Sequence, residues 1–588
     1  MIIKQLTNLE LKNHILFKIK NLLIEYININ SDTNQNLDEN EINVYFNQEK
    51  NKKTDISTTI SFKLAKIFKK SPILIAQEIA LFFQNHGFDA SAENGYVNIN
   101  LDISNVYDEL MNLENNLSST KPMFDLGKNK KVFVEFCSPN AFKSLTVGHL
   151  RNTITGHAIA RMIENLGFDV VRMNYYSDMG LHIAKTIWAL KQENIDVESE
   201  EITRLDEKEK MKLILGLYVK GNDAYGKNEN IKKEIDELNY IIYKKTDQKV
   251  NKIFDILLSW SLDHILNFLK FLNIDEFDKH YSESEAANHA NELISKFIGD
   301  IFIEDQGSII YRDSNGITQV YINSRGIPTY GAKDFSLAKI KINDFGLPEF
   351  SIVLTSVEQN DYFKNLIEAI NKAFEELNGR YYHIGYGWVL GPDGKKTSTR
   401  LGNAKGAYDL ISEAIEEAKN KIAESKTYTQ QEIDQISYIV GIAGLKFFFL
   451  SHELQNNLIF NPKVFLSFDG FSGPYILYSF VRARNIISNA EKISKHIDTE
   501  KFTESEIELL KKLYQFTNIV FEATVNIEPH HIARYLYDIA VLFNEFYKNN
   551  RVIDEDKVYI KRLNIVRMYS KILEKGLYLL GIDTIDKM

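Results

Sequence analysis

Residues 131–176 read as strand, loop, helix and strand. The apolar run KVFVEF is followed by the loop SPNAFKSLTVGH, and HLRNTITGHAIARMIENLGF then carries apolar residues at helical spacing until Gly167 ends it before the strand DVVRMNYY. Such a β-loop-α-β unit opens a parallel nucleotide-binding sheet. Its loop lies at the carboxyl end of a parallel strand and at the start of a helix, where unpaired N–H groups and the positive helix end suit phosphate. Gly148 lets a ligand approach the backbone closely. His149 can donate to a phosphate oxygen as charge shifts in a displacement at phosphorus, and Lys143 can supply charge. Read alone, the same residues also describe a tight loop with a capping His.

The 588 residues exceed what one core usually organises, so two to four domains are expected. A net charge of -10 argues against a generic nucleic-acid coat but leaves room for local basic faces. Cys137 is the single cysteine, which excludes an internal disulfide and a thiolate zinc cluster and fits a reducing compartment. The opening segment mixes Glu and Lys into an amphipathic helical pattern, and no apolar run reads as long enough to span a bilayer. A soluble, cytoplasmic protein without a membrane partner is therefore expected.

Residues 1–115 read as a small α/β domain: an opening helix, the helically spaced ISFKLAKIFKKSPILIAQEIALFFQNHGF, and the alternating GYVNINL. A linker-like stretch leads into a second domain over 116–425. Within it, residues 190–295 are charge-rich and helical, and resemble an insertion between two halves of the sheet. Strands resume at GSIIYR and TQVYIN, then a helix from Tyr330, the strand FSIVLTS and a helix from Gln359. Residues 426–588 are helical throughout and read as a bundle domain.

A second loop, GPDGKKTSTRLGN (391–403), carries Lys395, Lys396 and Arg400 among hydroxyls. It can close over a triphosphate and stabilise a departing pyrophosphate, although alone it reads equally as a solvated turn. Paired with the earlier loop it resembles the second signature of class I aminoacyl-tRNA synthetases: KTSTR stands where that class has a Lys-Met-Ser-Lys-Ser type sequence, and TVGH where it has His-x-Gly-His. Thr146 replaces the first His. Thr397 replaces Met, and Thr399 with Arg400 stands in place of the second Lys. A hydroxyl at 146 cannot carry an imidazole's charge, which bears on rate rather than reaction type.

The segments VEFCSPNAFKSLTVGHLRN, YYSDMGLHIAK, YINSRGIPTYGAKD and VEQNDYF resemble, in order, the arginyl-tRNA synthetase family. Its N-terminal tRNA-elbow domain resembles the first domain here, and its anticodon-binding bundle resembles FSGPYILYSFVRAR, PHHIARYLYDIAVLFNEFY and LEKGLYLLGIDTIDKM. The resemblance implies a Rossmann-like parallel-sheet core split by a helical insertion, and an ATP-dependent arginine-tRNA ligase. MgATP, arginine and tRNA are its expected partners, with magnesium arriving on the ATP phosphates, no zinc, no organic cofactor and a monomeric state.

An arginine site needs carboxylates for a planar fork and a ring to frame it. Tyr330 and Asp334 are four apart on one helix face. The resemblance implies that they and Glu135 contact the substrate side chain, while Ser138, Asn140 and Gln359 hold its backbone end or the nucleotide. Thr146, Gly148, His149, Lys395, Lys396 and Ser398 are expected on ATP, with His149, Lys143, Lys396 and Arg400 assisting the chemistry. Asp178 and Gly180 resemble a further motif of the sheet or, equally, a turn after a strand. In the C-terminal domain Tyr475, Tyr478, Arg482 and Arg484 interleave rings and charges on one helix, which suits stacking on unpaired bases or simply a bundle helix. The rivals are another class I synthetase, such as that for cysteine or glutamine, and a catalytically silent tRNA-binding relative, which Thr146 suggests.

Overall fold

The computed structural model describes residues 15–30, 41–47, 54–274, 277–391, 394–395, 406–423, 428–461, 465–467, 469–498 and 501–588. The first unit contains α1 (Ile15–Asn30), β1 (Val44–Phe46), β2 (Ile56–Thr58), α2 (Ile60–Phe68), α3 (Pro72–Asn85), β3 (Asp89–Glu93) and β4 (Tyr96–Asn100). Its four strands form an antiparallel sheet in the order β1-β2-β4-β3, over a core of its own that includes Ile19, Leu23, Ile79 and Phe83. The helically spaced run of this unit is two helices. Lys69 adopts a left-handed φ of 52°, and Pro72, lacking an N–H, starts the next helix at no hydrogen-bonding cost.

A capped helix, α4 (Ile103–Asn116), leads to β5 (Lys131–Glu135), α5 (Val147–Asn165) and β6 (Asp169–Tyr176), the unit that the sequence predicts. Five helices follow: α6 (Leu181–Gln192), α7 (Glu200–Thr203), α8 (Glu207–Lys227), α9 (Glu229–Lys244) and α10 (Gln248–Phe271). The stretch expected to be helical to 295 is then interrupted by β7 (Lys279–Ser282), which pairs in parallel with β6, before α11 (Glu283–Ser295). Four residues with one buried ring, Tyr281, give no alternation to read, so pairing with β6 rather than local pattern makes this strand.

The strands at GSIIYR and TQVYIN also depart from the main sheet. With β8 (Ile303–Asp305), β9 (Ser308–Arg312) and β10 (Thr318–Ile322) form a separate antiparallel sheet. The main sheet is completed by β11 (Phe350–Ser356) and β12 (Tyr381–Tyr386), which are preceded by α12 (Tyr330–Phe345) and α13 (Asn360–Ala373) respectively. Its order is β12-β11-β5-β6-β7 and every pairing is parallel. The chain leaves β5 first to one side and later to the other, so a crevice opens beyond the carboxyl ends of β5 and β11.

Beyond it lie β13 (Val389–Leu390), α14 (Ala407–Ala423), α15 (Gln430–Leu450) and β14 (Leu458–Ile459), with β13 and β14 paired in parallel. The sequence expectation that no apolar run is long enough for a membrane needs correction: α15 has the length and apolarity of a span. Most of it is buried, and its residues belong to one large core shared with α5 and the C-terminal helices. Residues 426–588, expected to be helical throughout, are mostly helical but also hold β14 and three short strands, Lys495–Ile497, Ile553–Asp554 and Lys557–Tyr559, which form a small sheet.

Candidate active site

The loop after β5 is held in an unusual backbone path. Cys137, Ser138 and Phe142 all have positive φ, at 78°, 46° and 61°, a region that non-glycine residues enter only when their surroundings over-determine it. Those surroundings are specific. Asn152 Oδ1 accepts from Cys137 N at 2.5 Å while its Nδ2 donates to Leu354 O at 2.7 Å, tying the loop to β11. Asn174 Oδ1 accepts from Ser138 N at 3.2 Å, and Ser261 Oγ accepts from Phe142 N at 2.8 Å. Asn140 forms a bridge with Ser177, beside a bond from Ala141 N to Ser177 O of 2.9 Å. His182 Nε2 donates to Ala141 O at 3.1 Å, and burial, then Lys143, pushes its imidazole down to about 3.

The loop ends at Thr146, the N-cap of α5. His149 N donates to Thr146 Oγ1 at 3.3 Å and Thr146 N donates to His149 Nδ1 at 3.0 Å, a reciprocal capping box. The capping role of His149 uses Nδ1 and leaves Nε2 outside the capping box. With Nδ1 committed as acceptor, the proton of the neutral ring sits on Nε2. Burial, then the charge of Lys143, pushes His149 down to about 4, so at neutral pH it is a neutral donor. Gly148 faces open space, since a Cβ built there would meet only Thr146 Oγ1, at 3.4 Å.

The second loop is anchored on this turn from both sides. Tyr386 Oη donates to Gly148 O at 3.3 Å before the loop, and Ala407 N donates to Leu145 O at 2.8 Å after it. A tight turn joins Gly391 N to Lys395 O at 2.9 Å, with Gly394 at φ 72°, and Lys395 is exposed. Lys396, Ser398 and Arg400 lie outside the described residues.

The other half of the crevice is acidic and aromatic. Tyr330 and Asp334 both sit on α12, with Tyr330 exposed at its start and Asp334 half-buried one turn on. Tyr362 Oη donates to Asp334 Oδ2. Glu283, at the carboxyl end of β7, pairs with Lys333 at 3.1 Å, and Lys333 lies 4.5 Å over the Tyr330 ring. Asp178 caps the start of α11 through Ser284 N at 2.9 Å and Ser284 Oγ at 2.6 Å. Glu135, expected on the substrate, is buried and ion-paired with the equally buried Lys341. Gln359 is exposed in the turn that follows β11, at the same edge of the sheet.

These groups burden one another. Burial raises Asp334 to about 7; the Tyr362 bond opposes this, and the charges of Glu135 and Glu283 add to the rise. Tyr175 and Tyr321 are raised by burial and by neighbouring negative charge, and both hydroxyls are buried without a hydrogen-bond partner. Orphan hydroxyls beside crowded carboxylates suit a planar cation with several N–H donors. Glu283, Lys333, Lys341, Tyr175 and Tyr362 were not legible as site residues. Glu283 follows a strand hidden in the expected insertion, Lys341 reaches Glu135 only through tertiary pairing, and Tyr175, Lys333 and Tyr362 lie inside the quoted segments without any spacing that singles them out.

On the C-terminal face, Tyr478 and Arg482 come together as their spacing predicts. Arg482 donates to Tyr478 Oη at 2.9 Å and to Asn544 Oδ1 at 2.5 Å, and its guanidinium lies 4.8 Å over Tyr478 and 5.2 Å over Tyr547. Tyr475 Oη accepts from Asn544 at 2.8 Å and Arg484 is exposed. The exposed Tyr478 and Tyr547 leave a wet aromatic surface around that charge.

Residues 112–462 match the model of tRNA synthetases class I (R), catalytic domain; residues 10–101 match the arginyl tRNA synthetase N terminal domain and residues 476–588 the DALR anticodon binding domain. A protein of Clostridium botulinum named arginine–tRNA ligase is 28% identical over 537 residues, 90% of this chain and 93% of its own. One of Borrelia hermsii with the same name is 28% identical, over 91% and 92%. The fold is similar to the Thermus thermophilus arginyl-tRNA synthetase structure, with a TM-score of 0.78 at 23% identity over 98% of this chain and all of that one. With one family's catalytic model spanning more than half of its length, this chain belongs to the class I arginyl-tRNA synthetases.

Proposed function

We propose that the crevice performs arginine activation and transfer as follows. The arginine carboxylate attacks the α-phosphorus of ATP, releasing pyrophosphate and forming arginyl-adenylate. A ribose hydroxyl at the tRNA 3' end then takes the arginyl group and AMP leaves. The observation that carries this reading is Asp334: a carboxylate held protonated up to about pH 7 by burial and by Glu135 and Glu283, beside orphan tyrosine hydroxyls, is relieved by a guanidinium.

Asp334 and Glu283 accept from the guanidinium, with Tyr330 framing it. Lys341 holds Glu135 in place at the pocket floor, and Ser138, Asn140 and Gln359 edge the space for the amino-acid backbone or the nucleotide. Thr146, Gly148 and His149 face the ATP phosphates, where His149 donates through Nε2–H; Lys143, Lys395, Lys396, Ser398 and Arg400 supply further charge and donors. Magnesium enters with the ATP phosphates. No covalent intermediate on the protein is needed, so positioning and charge stabilisation supply the rate. A cleft lined by Tyr240, Tyr243, Arg325 and Lys333 runs from α9 to the pocket and suits the single-stranded tRNA 3' end. All these parts lie on one chain, which supports action as a monomer, and a reaction that serves translation supports a cytoplasmic location.

Transfer of labelled arginine to tRNA tests the whole reading. Charging of an arginine-accepting tRNA, abolished when its 3' ribose is oxidised by periodate, is the expected result. A protein that binds this tRNA but charges none would be the silent relative.

Tyr478 and Arg482 are assigned to the anticodon loop. Replacing both with Ala should raise the tRNA KM about tenfold or more, since one base stack is worth roughly 1–3 kcal/mol, and leave arginine and ATP KM unchanged. An unchanged tRNA KM, or unfolding, would place both residues in a merely structural role.

A further inference from the structure

Arg151 is buried in α5, two residues beyond His149, and among the described residues no carboxylate pairs with it. A buried guanidinium without a counter-ion is costly unless its donors are met. Here backbone carbonyls meet those on its two Nη atoms, while Nε–H is buried without a partner among the described residues. Arg151 donates from Nη1 to Gly387 O at 2.5 Å, to Asn456 O at 3.0 Å and to Trp388 O at 3.4 Å, and from Nη2 to Leu454 O at 2.9 Å; the Tyr386 ring lies 5.8 Å away.

Those carbonyls belong to two segments that meet nowhere else in sequence. Residues 386–388 run from β12 into β13 and so toward Gly391, and residues 454–457 run into β14. Gly387 N donates to Leu454 O at 2.8 Å and Leu458 N to Trp388 O at 2.8 Å, which starts the parallel pairing of β13 with β14. The two backbones approach so closely that a Cβ on Gly387 would stand 2.4 Å from Asn456 O. One cationic fork thus fixes the start of this two-stranded ribbon onto the first turns of the helix that carries His149. Neutral donors would not serve several carbonyl dipoles converging at one point as well as a charged planar fork.

We propose that Arg151 is a positioning residue for the ATP step: it sets the ribbon that leads to Gly391 at a fixed place relative to the Gly148–His149 turn. This rests on the functional reading above, in which both segments face ATP. Arg151 touches no substrate itself. Its effect should therefore appear in ATP parameters and in the adenylation rate, and not in arginine recognition.

The test is ATP–pyrophosphate exchange with arginine and tRNA on three proteins: the wild-type chain, Arg151→Lys, and Gly387→Ala, which displaces the same ribbon from its other side with Arg151 intact. If the wild type shows no exchange with arginine and tRNA, the functional reading itself fails, independently of Arg151. Given wild-type exchange, both variants should stay folded, with a cooperative melting transition lowered by the lost bonds or the close contact, and keep an arginine KM within about twofold. Their exchange rate should fall about tenfold or more with a raised ATP KM, the scale of a small misplacement of reacting groups. Lysine, a point charge with a shorter reach to the scattered carbonyls, should not rescue. Wild-type ATP kinetics in either folded variant would overturn the proposal. So would an equal rise in arginine KM, or simple unfolding of both variants.

Discussion

Replacing His149 with Ala should slow arginyl-adenylate formation by about 100-fold or more, the usual loss for one preorganised donor to a transition state, with ATP binding nearly unchanged. The capping box gives this expectation its direction. Thr146 N occupies Nδ1, so Nε2–H points away from the helix backbone and is available to a phosphate oxygen. Because the ring is held neutral, down to about 4, the donor persists across the working pH range. Thr146→His should stay active. It removes the Oγ1 cap, which costs about 1 kcal/mol of stability, but the bond from the backbone N–H at 146 to His149 survives. The measurement is single-turnover adenylate formation with tRNA present. An active His149→Ala enzyme, together with an inactive but folded Thr146→His enzyme, would put the phosphates on the wrong side of the loop.

Asp334→Asn should weaken arginine use by about 2 to 4 kcal/mol in kcat/KM, because a buried guanidinium loses its charged mate. The same residue sets a pH dependence. Its carboxyl ordinarily titrates at 3.8 and is raised to about 7 in the fold. The stability this group contributes is thus fully present below about 3.8 and is lost as the pH rises through 7. Arginine binding runs the opposite way. It needs the carboxylate, so below pH 7 it must expel a proton, and arginine KM should fall as pH rises from 6 to 8. In Asp334→Asn that slope should vanish. Unchanged arginine kinetics in the folded variant would make Asp334 an ordinary half-buried helix charge that touches no substrate.

How much of this was legible in the chain differs by the range of the interaction. The β5-loop-α5-β6 unit, the end of α5 at Gly167 and the shared helix face of Tyr330 and Asp334 follow from local periodicity and spacing. The Thr146–His149 cap was visible as one of two uses of the same residues, and the fold shows the cap. What the sequence hid lies between distant segments. Lys341 buries its charge on Glu135 across 206 positions, and Tyr362 donates to Asp334 from the next helix. Neither bond leaves a periodicity or spacing to read, although Tyr362 lies within the VEQNDYF segment. β7 hid for a related reason, because a four-residue strand becomes one only when β6 supplies the ladder, and with it Glu283 was assigned to the insertion.

Pyrophosphate exchange measured with each of the twenty amino acids, with and without tRNA, tests the central claim most directly. The acidic pocket of Asp334 and Glu283 predicts exchange with arginine alone among them. We expect cognate tRNA to complete the site, so that exchange should require tRNA. Exchange supported by a neutral or acidic amino acid in preference to arginine would contradict the assignment of the pocket, and robust exchange with arginine in the absence of tRNA would contradict the dependence on it.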